Sequence, residues 1–237
     1  MDKIEHALNI LEKNKLDNIS IINFMKNNRV LSVDVNGNSV LVVGESDRRW
    51  MFISCKNKDE LYLLKNKLNS ADTNFAAIDD WMIPILIEGK EVMWDLSTVS
   101  YYLPEEINLP IPQYKTKILQ KSHAEIVYKN SIYKDYISLE YVIDRISKGL
   151  SAGIFENNNL VSWGITQEDG AIGFLHTINN FRRKRYGYNV TLSIIEKLRN
   201  IGKLPFAYAE TNNEKSIRLL SKLGFKRFKN IHWFHVK

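Results

Sequence analysis

The residues best suited to chemistry in this 237-residue chain lie between Leu175 and Tyr188, LHTINNFRRKRYGY. Four consecutive cations, Arg182, Arg183, Lys184 and Arg185, stand where a strand pattern gives way to a helix pattern, and Gly187 follows two positions later. The first turn of a helix has N–H groups without intrahelical partners and carries the positive end of the helix dipole. A diphosphate fits such a turn, and glycine lets the backbone come close to it. The pattern points to the pyrophosphate of a nucleotide cofactor. Read alone, it is equally a solvated basic turn with Gly187 as punctuation.

The elements around the cluster have to hold it in place. Three strand-like runs precede it, Ser151 to Glu156, Leu160 to Thr166 and Ala171 to Ile178, with turns at Asn157-Asn158-Asn159 and Glu168-Asp169-Gly170. They predict a short antiparallel meander. Val190, Ile194, Ile195 and Leu198 then recur at helical spacing over Tyr186 to Asn200, closed by Gly202 and Pro205. A strand over Phe206 to Glu210, a helix from Asn213 to Leu223 ended by Gly224, and an extended tail over Lys226 to Val236 complete this half. Before the meander, Ala124 to Tyr128 and Leu139 to Lys148 read as helices, with Ser138 capping the second.

The N-terminal half reads as two short helices and a hairpin over Val30 to Val43 turning at Asn36-Gly37-Asn38. A strand at Trp50 to Ser54, a helix over Asp59 to Leu68, a strand near Phe75 to Ile78 and an extended run over Val92 to Val99 follow. Three of the five prolines, Pro104, Pro110 and Pro112, fall between Leu103 and Lys117 and disfavour helix there. The organisation expected is an α+β domain over 1–105, a linker over 106–120 and a second domain over 121–237. Trp50, Trp81, Trp94 and Trp163 sit in apolar or strand-like surroundings and are read as core.

Composition narrows the function classes. Hydrophobic residues at 44% and charged residues at 25% let each half bury a core, which excludes global disorder. Cys55 is the single cysteine, so an internal disulfide and a cysteine zinc site are excluded, and a reducing, cytoplasmic location is expected. The opening MDKIEHALNILEKNKL mixes acids and bases at helical spacing, unlike a signal peptide. Trp81 to Ile87 is interrupted by Pro84 and is far shorter than a membrane span, so no membrane association is expected. The net charge of +6 divides into −5 over residues 1–110 and +11 over 111–237. A basic half attracts nucleic acid, a membrane surface or a phosphorylated cofactor. Nucleic acid ranks last, because RRKR is one short cluster without interleaved aromatics. His232 and His235 flank Trp233 with no third ligand nearby in sequence, so no metal is expected.

The order of a strand, R-R-K-x-Y-G, a helix, a strand and N-x-x-S-I-x-L-x-x-K-L-G-F resembles the acetyl-CoA-binding core of the GNAT N-acetyltransferase superfamily. It looks most like the branch of glycine N-acyltransferase-like proteins, whose members often carry a degenerate GNAT-like half before the active one. The resemblance covers residues 120–237 by motif and the N-terminal half by architecture. It implies an α+β chain. The C-terminal GNAT fold would have a mixed, mostly antiparallel central sheet flanked by helices, after a smaller α+β N-terminal domain. It implies acetyl-CoA as co-substrate and an amine acceptor, small molecule or peptide. The family's R-x-x-G-x-G/A loop falls on Arg182, Arg183, Lys184, Arg185, Tyr186 and Gly187, next to Tyr188. Arg185 replaces the first glycine, and its guanidinium is expected to pair with phosphate in compensation. The pantetheine-binding strand matches Leu175, His176 and Thr177, whose backbone would pair as with an added strand. Asn213 and Ser216 match the N-x-x-A motif, with Asn213 capping the last helix and reaching the cofactor, or capping it only.

Amine acylation needs a base for the amine proton, stabilisation of the oxyanion and often an acid for the departing thiolate. The tyrosine that many relatives place on the last helix as that acid is matched by Leu220. The thiolate then leaves unassisted, or another hydroxyl such as Tyr208 or Ser221 serves, or the chain is not an enzyme. Glu210, at the end of a strand, is the first choice of base and His176 the second. Ala171 stands where glycine N-acyltransferases carry a carboxylate, so glycine conjugation does not follow. The expected activity is GNAT-type transfer of an acyl group, acetyl first, to a primary amine. The alternative is a non-catalytic coenzyme A sensor or interaction module.

Overall fold

The computed structural model describes residues 2–237. The chain forms two compact units, one running up to Val99 and including Lys229–Lys237, the other comprising Ser100–Phe228.

In the first unit, α1 (Lys3–Leu11) and α2 (Ile19–Asn27) precede β1 (Arg29–Asn36), β2 (Ser39–Glu45) and β3 (Arg49–Ser54). Gly37, at φ +60°, and Asn38 form the two-residue turn of the first hairpin, a conformation that glycine adopts without strain. Then come α3 (Lys58–Lys65), β4 (Asn74–Asp79), the short α4 (Ile83–Leu86) and the start of β5 (Val92–Tyr102). Alternation along β2 sends Val40 and Val42 to a core with Phe24, Trp50 and Phe52, and Leu41 and Val43 to a core with Leu61, Leu64 and Ile78. Both faces of that strand are therefore buried. Trp50 is core as expected, but Trp81, in the turn after β4, is 36% exposed.

The second unit holds α5 (Ala124–Lys129), α6 (Leu139–Lys148), β6 (Ser151–Glu156), β7 (Asn159–Thr166) and β8 (Ile172–Thr177). They are followed by α7 (Tyr186–Asn200), β9 (Phe206–Ala209), α8 (Glu214–Lys222) and the first residues of β10 (Lys226–Val236), the rest of which belongs to the first unit. Ser138 caps α6 by accepting from the Tyr141 N–H. Asn157 and Asn158, at φ +47° and +64°, make the tight turn between β6 and β7, as left-handed asparagines do in hairpins. The strands lie in the order β9-β8-β7-β6, antiparallel except for β8 beside β9. Leu119, Val127, Val142, Ile146 and Trp163 form a core under α5 and α6. On the other face Gly164 lets α7 lie close, since a Cβ there would stand 2.9 Å from Ile194 and 3.2 Å from Val190.

The proline-bearing stretch is held within the second unit. Arg199 donates to the carbonyls of Pro104 and Ile107 at 3.0 and 2.9 Å, and Asn189 Oδ1 accepts the Gln113 N–H at 2.6 Å. Lys117 bridges to Gly153, and the Leu119 N–H donates to Ser151 Oγ at 3.0 Å. The last strand of the chain returns to the first unit, where His232 pairs with Ile78 and Phe234 with Phe75 of β4. His232 places its two ring nitrogens 2.9 Å from Asp80 and 2.7 Å from Asp95. Among the described residues no cluster of histidine, cysteine or acids could hold a metal, and no helix is long and apolar enough to cross a membrane.

Candidate functional site

β8 is the centre of the candidate site. It pairs with β7 through Ser162↔Thr177, Trp163↔His176 and Ile165↔Gly173, with an irregularity between the last two at which Phe174 takes φ +50°. Against β9 it keeps one parallel register, Ile172↔Ala207, so the two strands part toward Thr177 and Glu210. Leu175, His176 and Thr177 lie on the parted stretch and are half-buried. The His176 ring stacks on Trp163, itself 1% exposed, at 4.9 Å and 25°. Burial, and then the charge of Arg182, hold the imidazole below its usual pKa, which favours the neutral ring. Ser162 Oγ donates to the His176 carbonyl at 3.0 Å and meets Thr177 Oγ1 at 2.8 Å, so hydroxyls fix this end of the strand.

The basic cluster joins the parted stretch directly. Arg182 Nε donates to the Thr177 carbonyl at 3.1 Å. Arg183 and Arg185 both take left-handed backbone, φ +66° and +62°, and Arg185 is the N-cap residue of α7 without a side-chain cap bond. A left-handed arginine costs about 1 kcal/mol, so the loop is held in this shape by its surroundings. Lys184 Nζ lies 3.1 Å from Glu156 Oε1, and the same carboxylate accepts the Tyr186 hydroxyl. That bond, helped by burial, pushes the Tyr186 phenol up to about 12, and the Tyr186 and Lys184 bonds hold Glu156 below the ordinary carboxylate range. The four cations are therefore not equivalent. Arg182 and Lys184 are tied to the protein, while the side chains of Arg183 and Arg185 are exposed at the mouth of the helix. A Cβ at Gly187 would stand 3.5 Å from Thr177 Oγ1, an ordinary contact. Tyr188, one residue on, lies under the Lys222 ammonium at 5.4 Å.

The third part is the turn after β9. The Glu210 carbonyl accepts the Asn213 N–H at 2.9 Å, and Asn213 Oδ1 accepts the Ser216 N–H at 3.1 Å to cap α8. Asn213 and Ser216 are thus engaged with each other, and the turn fixes the backbone of Glu210. Glu210 Oε1 accepts the hydroxyl of Tyr133, which comes from the loop between α5 and α6. Burial first, and then the Glu210 carboxylate, raise the Tyr133 phenol far above its ordinary pKa. The Tyr208 hydroxyl reaches the buried Asp169 at 2.6 Å, in the turn at the paired end of β8. Sequence reasoning missed Tyr133, Glu156 and Asp169 as partners, because none belongs to a periodic or motif-bearing stretch near the residue it contacts.

Residues 149–234 match the family model described as FR47-like protein. No curated protein matches the chain. Among solved structures, a Drosophila protein from structural genomics is 13% identical, with a TM-score of 0.83 over 100% of this chain and 97% of its own. A GCN5-related N-acetyltransferase from Kribbella flavida is 10% identical, with a TM-score of 0.59 over 93% and 94%. A GCN5-related N-acetyltransferase-like protein from Streptococcus suis is 15% identical, with a TM-score of 0.55 over 96% and 98%. The fold is that of the GNAT acetyltransferases. Within the GNAT fold, position 220 is a leucine 5% exposed, so α8 brings no phenol to the site from there. The phenol beside Glu210 comes from Tyr133.

Proposed function

We propose that the chain is an acyl-CoA-dependent N-acyltransferase that moves an acyl group, acetyl first, to a primary amine by direct attack in a ternary complex. One observation carries this reading: β8 and β9 are paired only at Ile172↔Ala207 among the described residues, and their unpaired ends at Thr177 and Glu210 come with a helix N-terminus whose N-cap residue, Arg185, makes no side-chain cap bond. Pantetheine is an extended chain of amides, and Leu175, His176 and Thr177 offer it a backbone edge. The diphosphate is assigned to the exposed guanidiniums of Arg183 and Arg185 and the first-turn N–H groups of Tyr186, Gly187 and Tyr188. Arg182 and Lys184 brace that loop through Thr177 and Glu156, and Asn213 and Ser216, which cap α8, are assigned a contact with the cofactor from the turn after β9.

In the proposed reaction the amine nitrogen bonds to the thioester carbon while its proton passes to the Glu210 carboxylate. The C–S bond then breaks and the electron pair leaves on sulfur. A thiol pKa of about 8.5 makes that thiolate a competent leaving group without an acid. His176, neutral on Trp163, is the second basic group beside the parted strands. Tyr208 is assigned the lesser part of holding the Asp169 turn.

The acceptor is proposed to be a small-molecule or peptide amine, and the location the cytoplasm. The N-terminal half is read as a degenerate GNAT-like half, as in glycine N-acyltransferase-like proteins. The same order of two helices, three strands, helix, strand, helix, strand occurs in both halves. In the first, Asn57 caps α3 and Asp59 and Glu60 fill its first turn, which opposes an anion. The buried Leu220 favours a second reading, a coenzyme A-binding module without turnover.

The test is thiol release from acetyl-CoA across an amine library, with Glu210→Gln alongside. Release with at least one primary amine, reduced about 100-fold by the substitution, is expected. Full activity of Glu210→Gln excludes it as the base, and coenzyme A binding without release from any amine selects the second reading.

A further inference from the structure

We propose that Tyr133 is a positioning residue for Glu210: its hydroxyl holds one carboxylate oxygen and leaves the other for the acceptor amine. The inference rests on the reading of the chain as an N-acyltransferase with Glu210 as base.

Glu210 is fixed from two directions. Its carbonyl is tied to the Asn213 N–H at the start of α8, and its Oε1 accepts the Tyr133 hydroxyl, so rotation of the side chain is restrained at both ends. Oε2 has no hydrogen-bond partner among the described residues. A carboxylate with one oxygen occupied by a fixed donor presents the lone pairs of the other oxygen in a set orientation, which is what a base needs to meet a nitrogen aligned with a carbonyl carbon.

Tyr133 is suited to that part. The phenol is half-buried and its ionisation is opposed by burial and by the carboxylate itself, so it stays protonated and acts as a donor only. Its backbone is anchored as well: the Tyr133 carbonyl accepts the N–H groups of Tyr136 and Ile137 at 2.9 and 3.2 Å, and its N–H donates to Ser131 Oγ at 3.2 Å. The α5–α6 loop therefore delivers a hydroxyl in a set direction. Positioning needs this constancy, because a donor that came and went would let the carboxylate turn to water.

Two measurements decide it. In steady-state thiol release, Tyr133→Phe keeps the ring and removes the hydroxyl. It is expected to lower kcat about tenfold, with KM for acetyl-CoA and calorimetric coenzyme A affinity within about twofold of wild type. In a Glu210→Gln background the same substitution is expected to change kcat less than twofold, because its target is gone. Equal losses in both backgrounds, or full activity of Tyr133→Phe, overturn the proposal. A change in coenzyme A affinity overturns it too, since a merely structural role would produce one. The second measurement needs no turnover. In an ultraviolet titration of the intact protein, a phenol that resists ionisation in wild type is expected to titrate at lower pH in Glu210→Gln, and an unchanged titration contradicts the contact. Failure of wild type to bind coenzyme A is a separate result that sinks the acyltransferase reading itself.

Discussion

Lys184 Nζ lies 3.1 Å from the Glu156 carboxylate, which also takes the Tyr186 hydroxyl. The ammonium in the middle of the basic loop is thus partly neutralised by an acid 28 residues upstream. Glu156→Gln frees it, and coenzyme A is expected to bind about threefold more tightly at low salt, an advantage lost at high salt. Calorimetric titration at two ionic strengths reads the effect, and weaker binding in the variant would place Glu156 among the ligand's own contacts.

Arg185 combines a charge with a left-handed backbone, and the two separate on substitution. Arg185→Gly relieves about 1 kcal/mol of backbone strain and restores the glycine of the resembling loop, against the extra chain entropy of glycine. A small net gain in stability, about 0.5 kcal/mol in urea unfolding, is expected together with about tenfold weaker coenzyme A binding. Unchanged affinity would leave the work to the backbone N–H groups alone.

Several element boundaries were legible because local chemistry marks them. Ser138 and Asn213 cap α6 and α8 as their residue types suggest, and Leu139–Lys148, Tyr186–Asn200 and Lys226–Val236 fall where periodicity places them. The two central asparagines of the β6–β7 turn are the residues such a hairpin requires. What periodicity and caps do not encode is which distant residue a side chain meets. Tyr133 lies in an irregular loop 77 residues before Glu210, and no spacing rule links them. The same holds for β10, whose pattern reads as a strand but does not say that β4 is its partner. The apolar neighbours of Trp81 read as core, yet it lies in the turn Asp80–Met82 and is 36% exposed.

His176 sets a pH dependence of stability. Its pKa in the folded protein lies below the unfolded value of about 6.5, so the unfolded chain binds more protons as pH falls from about 6.5 toward the folded value. Stability is therefore lost on acidification through that window and kept above it. His123, lowered by burial, acts in the same direction. His176→Asn is expected to shrink the difference in urea midpoint between pH 7.5 and pH 5.5, and an unchanged difference would assign the effect elsewhere.

Leu220 occupies a packed position, so a hydroxyl added there finds a core and not a cleft. Leu220→Tyr is expected to destabilise the protein by about 1–3 kcal/mol without raising thiol release. A rise in kcat at unchanged stability would show that α8 can present an acid to the site.

In the proposed function the loop at the start of α7 grips the diphosphate of coenzyme A. This grip is tested most directly by calorimetric titration of coenzyme A into wild type and into the Arg183→Gly, Arg185→Gly double variant, which keeps the left-handed backbone and removes both exposed guanidiniums. Binding to wild type and a loss of about thirtyfold or more in the variant is the expected result. Equal affinity in the two proteins, or no binding to wild type, would contradict it.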